Sequence, residues 1–121
     1  MRKTITISGK EYNMKSSAYT QFKYKNETGR KLLEDIQKLT KLQDANQEQV
    51  MSGIDDLLEI ILKITYIMID EADSSQVTSY EDFLKDLDGL LDNQDWLQDV
   101  ITLAASPISR GIQTNPQESN K

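Results

Sequence analysis

The sequence predicts a mainly helical α+β fold, in which an N-terminal β-hairpin is followed by a bundle of about four helices. Three features carry that reading: a period of two around a glycine near the start, apolar residues at helical spacing from Leu32 to Ala104, and a polar, proline-bearing end. A chain of 121 residues is about one domain. Residues 1–106 are assigned to the hairpin and helical body, and 107–121 to a disordered polar tail.

In "TITISGKEYNMK", Ile5 and Ile7 alternate with polar residues, Gly9 and Lys10 make the turn, and Tyr12 and Met14 return on the same face. This places strands near 3–8 and 11–16. Two strands are marginal alone, so the hairpin must lie on helices or pair with another chain. The segment "SAYTQFKYKNETGR" reads as an extended linker in which Phe22 and Tyr24, two apart, send their rings to one face. Asn26 or Thr28 is then the cap of a helix carrying Leu32, Leu33, Ile36, Leu39 and Leu42. In that register Arg30 and Lys31 occupy the first helical turn, where the helix dipole disfavours cations.

Asp44 with Gln47 resembles a capping box for a long helix over about 46–70, whose stripe from Val50 to Met68 widens at Ile60, Leu62, Ile67 and Ile69 until it is apolar nearly all round. Such a helix is contacted from several sides and forms the centre. Ser79 with Asp82 starts a short helix carrying Phe83, Leu84, Leu87, Leu90 and Leu91, broken at "GLLDNQD". Trp96, Leu97, Val100, Ile101, Leu103 and Ala104 give the last helix, which stops before Pro107.

Composition narrows the chemistry. Hydrophobic residues are 37% of the chain with one Trp and two Phe, so a small core must rest on Leu and Ile. With no cysteine there is neither disulfide nor thiolate, which suits a reducing compartment. With no histidine the commonest general base and zinc ligand are missing. Neither a catalytic residue nor a metal or cofactor site is expected. The most apolar window, 60–69, is too short to cross a bilayer and contains Lys63, and the start has no signal-like apolar run.

Charge is divided along the chain. Residues 1–43 hold ten basic against four acidic side chains, and residues 70–99 hold ten acidic against Lys85 alone. This asymmetry can steer a partner, align copies head to tail, or neutralise itself within one folded unit. "KDLDGLLDNQD" suggests a calcium loop, with Asp86 and Asp88 around Gly89, but Leu84 stands where the first carboxylate is required. The "NET" at Asn26 matches the glycosylation pattern without any route to secretion. "FKYKNETGRK" offers rings and cations to a nucleic acid, yet the chain is acidic with a pI near 4.6, so no nucleic-acid or membrane partner is expected.

The hairpin around "GKEY", the segment "SAYTQFKYKNETGRKLLEDI", the long apolar helix, "SYEDFLKDLDGL" and the final helix together resemble the tail assembly chaperones of long-tailed phages of Gram-positive hosts. The similarity spans about residues 4–105 and is strongest over Tyr24 to Leu33 and Ser79 to Leu87. It implies a non-enzymatic factor that binds the hydrophobic tape measure protein in the host cytoplasm, keeps it soluble while the tube polymerises, and is absent from the mature virion. It also implies a second partner, the tail tube protein, reached through a longer form made by ribosomal frameshifting.

On this reading an apolar groove beside the 46–70 helix shields tape measure segments, with Leu58, Ile61 and Tyr66 as candidate contacts. Lys23, Lys25, Arg30 and Lys31 are the candidate cations for an acidic surface on a partner or on a second copy. The rival is a small acidic phage regulator, imitating DNA or occupying a host enzyme. A mimic presents its carboxylates as one continuous exposed stripe, whereas a chaperone presents an apolar groove.

Overall fold

A computed structural model describes residues 1–43, 47–90, 92 and 95–108, with backbone only at 42, 43 and 47–55. The element order is β1 (Arg2–Ile7), β2 (Lys10–Lys15), α1 (Ala18–Thr28), α2 (Leu32–Gln43), α3 (Gln47–Ala72), α4 (Tyr80–Lys85) and α5 (Asp95–Ala105). The predicted α+β class is what is found, with five helices among the described residues rather than about four. The expected capping box at Asp44 and the expected tail from residue 109 onward lie outside the described residues.

The hairpin is antiparallel, with Ile5 opposite Tyr12 and Ile7 opposite Lys10. Its turn is Ser8-Gly9, both in the left-handed region at φ 55° and 80°. Two such residues make the tight loop whose twist matches that of the strands. Ser8 bears the strain of a side chain there, and its hydroxyl is held by Asp88, donating to the carbonyl at 2.6 Å and accepting from the amide at 3.0 Å.

As a two-stranded sheet requires, the hairpin lies on helices, β2 against α3 and β1 against α5. Ile5, Ile7, Tyr12 and Met14 are all buried there. The edge of β2 is completed by Gln76, whose amide donates to the Asn13 carbonyl at 2.9 Å and accepts from the Asn13 amide at 2.8 Å. Ser16 joins the end of the hairpin to α5 through a 2.7 Å bond to the Leu103 carbonyl.

The predicted centre is correct. α3 is touched by β2, α1, α2, α4 and α5, and Ile61, Leu62, Ile64, Ile67, Met68 and Ile69 are buried around its circumference. Phe83 is fully buried, edge-on to Tyr12 at 5.6 Å. The short helix expected to carry Phe83, Leu84, Leu87, Leu90 and Leu91 stops at Lys85, and Leu84 is exposed rather than part of an apolar stripe. Ser79 caps α4 as anticipated, accepting from the Asp82 amide at 3.1 Å.

The main correction is α1. The segment read as extended is a helix capped by Ser17, whose side chain and that of Thr20 bond each other's backbone, and closed by Gly29 at φ 74°. On a helix Phe22 and Tyr24 are about 200° apart. Tyr24 is therefore buried while Phe22 is 70% exposed. α2 then begins only at Leu32, with Glu34 and Asp35 in its first turn and the Lys31 carbonyl accepting from the Asp35 amide. Arg30 and Lys31 thus lie just before that helix rather than within its first turn, and the Asp35 carboxylate in that turn offsets the charge of Arg30.

Gly29 supplies the left-handed cap between α1 and α2, and a Cβ built on it meets no atom within 4 Å. Gly29→Ala should therefore cost about 1 kcal/mol from backbone strain alone. Urea unfolding monitored by circular dichroism checks this, and an unchanged midpoint would contradict the cap.

Candidate functional site

α1 is attached to the body largely through polar side chains. At its start the Ser17 and Thr20 hydroxyls donate to the two carboxylate oxygens of Glu71 on α3. At its end Lys63 of α3 holds Glu27 at 2.8 Å, and Lys23 reaches the same carboxylate at 2.9 Å. Hydrogen bonds from Lys63 and then Lys23 hold the Glu27 carboxyl below the usual carboxylate range.

Between these ends stands Asp35, whose side chain is only 2% exposed. It receives the Tyr24 hydroxyl from α1, and Arg30 from the intervening turn through Nε and Nη2, both at 2.7 Å. Lys38 approaches the same carboxylate at 3.7 Å. Burial alone would push this carboxyl up, but the hydrogen bonds from Arg30 and Tyr24 outweigh it and the net shift is downward. Tyr24 is displaced upward, first by burial and then by its bond to Asp35.

These groups form one wall of a cleft of about 800 Å³, lined by Tyr24, Thr28, Arg30 and Lys38 on one side and by α3 with Tyr80 on the other. From α3 come the half-buried Leu57 and Ile60, the exposed Asp56 and Glu59, and Lys63. Lys63 also sits over the Tyr80 ring at 4.5 Å, which fixes its stem between α1 and α4. The lining thus mixes apolar side chains with charges of both signs, Arg30 and Lys38 from the α1–α2 side and Asp56, Glu59 and Lys63 from α3.

The candidate contact residues are dispersed. Leu58 and Tyr66 are partly buried, and Tyr66 packs on Tyr80 and Phe83 at 5.4 and 6.0 Å. Ile61 is fully buried and belongs to the core. Of the cations, Lys23 and Arg30 are engaged within the chain, whereas Lys25 and Lys31 are exposed and have no ion pair among the described residues. The cleft instead uses Leu57, Ile60, Lys38, Lys63 and Tyr80. Leu57 and Ile60 lie in the apolar run already legible in the sequence, but which of its members face a cleft depends on how α2 crosses α3.

Tyr24 is removed from any base-stacking role by its burial. Among the described residues no cluster of three or more His, Cys, Asp or Glu side chains is placed to hold a metal ion. No described helix is long and apolar enough to cross a membrane. The divided charge is partly cancelled inside the molecule, Lys3 pairing with Asp99 at 3.2 Å and Lys10 approaching Asp86 at 4.0 Å.

Removing Arg30 leaves a buried carboxylate short of two donors, so Arg30→Ala should destabilise by about 2–3 kcal/mol, and Lys38→Ala by less than about 1 kcal/mol. The folded-state values of Asp35 and Glu27 lie below their unfolded ones. Their contribution is therefore complete above about pH 5 and lost as pH falls through the folded values, below about pH 4. Urea midpoints measured from about pH 5 down through and below pH 4 should fall, with a shallower fall in Asp35→Asn. An equal slope in that variant would contradict the assignment. Comparison of the chain with protein-family models, with curated proteins and with solved structures finds no match.

Proposed function

We propose that this protein is a non-enzymatic assembly factor of the tail assembly chaperone type, and that its cleft shelters amphipathic helical segments of a tape measure protein. The observation that carries this is the cleft's construction. Leu57 and Ile60 lie one turn apart on α3, partly buried yet lining the cleft, together with Arg30 and Lys38 from the opposite side and Asp56 and Glu59 from α3. Residues 56–63 of α3 rise about 10 Å, enough for two turns of a guest helix to lay an apolar face on Leu57 and Ile60.

The ionisable groups around the cleft support binding over catalysis. A cleft of this volume also suits a small ligand. Acid-base chemistry at neutral pH needs a group tuned toward neutrality. The shifts here run the other way, with Glu27 and Asp35 made more acidic and Tyr24 and Tyr80 made less so by burial.

The acidic-mimic reading is less well supported. Glu71 is spent on Ser17 and Thr20, and Asp86 and Asp99 face lysines of the hairpin, so the carboxylates of 70–99 do not form one free stripe.

Co-expression with the tape measure protein of the same tail gene cluster tests the proposal. The chain should raise the soluble fraction of that protein, and Leu57→Glu with Ile60→Glu should abolish the gain while leaving the helical content unchanged by circular dichroism. Equal solubility with and without the chain would overturn it.

A further inference from the structure

α1 is inverted relative to an ordinary surface helix. Its inward positions Thr20, Tyr24 and Glu27 are polar and are satisfied by Glu71, Asp35 and Lys63. Its outward face carries Tyr19 and Phe22, 55% and 70% exposed and one turn apart, flanked by Ala18, Lys25 and Asn26. Phe22 gains nothing from the fold in that position. Lys25, one turn beyond it, and Lys31 in the following turn have no ion pair among the described residues.

The complementary surface is on the same chain. Apart from Met1, the only other large apolar side chain exposed among the described residues is Leu84 on α4. It lies in a short segment with the exposed acids Glu81, Asp82 and Asp88, and neither Asp82 nor Asp88 has an ion pair among the described residues. Residues 19–31 thus expose rings and cations unpaired among the described residues, and residues 81–88 an aliphatic side chain in an acidic segment whose one cation, Lys85, is paired with Glu81 at 3.6 Å. Asp82 lies about 200° round α4 from Leu84 and Asp88 follows the helix end, so the carboxylates flank Leu84 from more than one side.

We propose that the outer face of α1 docks on the α4 edge of a second copy of this chain, joining unlike patches. Charge decides between this and a like-to-like contact. The outer face of α1 has no carboxylate, so pairing it with itself leaves Lys25 without a counter-charge, and Lys31 in the turn that follows α1 likewise, while pairing it with the Asp82 and Asp88 segment supplies one. A contact between unlike patches closes into a ring or a reciprocal pair where the rotation allows, and otherwise extends. One helix face of 11 residues spans only about 16 Å, so the contact is small.

Sedimentation velocity on the full chain, from about 1 to about 500 μM, tests this independently of any tape measure binding. The weight-average mass should rise with concentration, and the association should weaken roughly tenfold or more between low and high salt. Phe22→Ser should remain monomeric with an unchanged thermal midpoint. Lys25→Glu/Lys31→Glu and Asp82→Lys/Asp88→Lys should each lose association alone and regain it when mixed, because each then offers the charge the other lacks. A monomer throughout the range overturns the proposal. So does association that Phe22→Ser abolishes but both charge variants leave intact, which would assign α1 to a like-to-like contact.

Discussion

The arrangement of this small domain depends on the burial of one carboxylate. Asp35, in the first turn of α2, is removed from water among apolar side chains, a situation that is unfavourable unless every lone pair is met. It is met by donors from two segments that precede it, the Tyr24 hydroxyl of α1 and the Arg30 guanidinium of the turn, with Lys38 approaching from the next turn of α2. Three consecutive pieces of chain are thereby fixed to one another by a single charge. The exposed pairs Lys3–Asp99 and Lys10–Asp86 have the same formal chemistry but sit in water and contribute at most about 1 kcal/mol each. Losing a donor to a buried charge costs several times that.

This lock explains how α1 can be present at all. Its sequence has little apolar face to bury, and the aromatic residues it does carry are divided, Tyr24 inward and Phe22 outward. Polar contacts at Glu71, Asp35 and Lys63, spread over the helix from start to end, do the attaching that an apolar stripe does for α2, α3 and α5. The outer face is then released from any structural duty. The same turn that carries Arg30 to Asp35 also lines the cleft, so the order of α1, the lining of the cleft and the presentation of Phe22 share one origin.

Much of this was legible in the residues. Alternation around Gly9 located the hairpin to within a residue, and helical spacing located α2, α3 and α5, because in each case burial of aliphatic side chains decides the structure. α1 was missed for the opposite reason. Its buried side chains are Thr20 and Tyr24, and a spacing of two between rings imitates a strand when no apolar moment contradicts it. The available signals were local ones, Ser17 with Thr20 at the start and Gly29 at the end. The burial of Asp35 left no sequence signal, since it requires Tyr24 and Arg30 to converge from a helix and a turn whose relation is tertiary. For the cleft, the apolar run was visible but not which of Leu57, Leu58, Ile60 and Ile61 faces outward.

The central claim is that an ionised Asp35 holds α1 to the body. The most direct measurement is a carbon-detected NMR titration of the Asp35 side-chain carboxyl, with the amide shifts of α1 followed in the same samples. The account predicts a midpoint below the ordinary carboxylate value and amide shifts from Tyr24 to Thr28 that move with that midpoint. An ordinary midpoint, or α1 amides that do not respond as Asp35 takes up its proton, would contradict it.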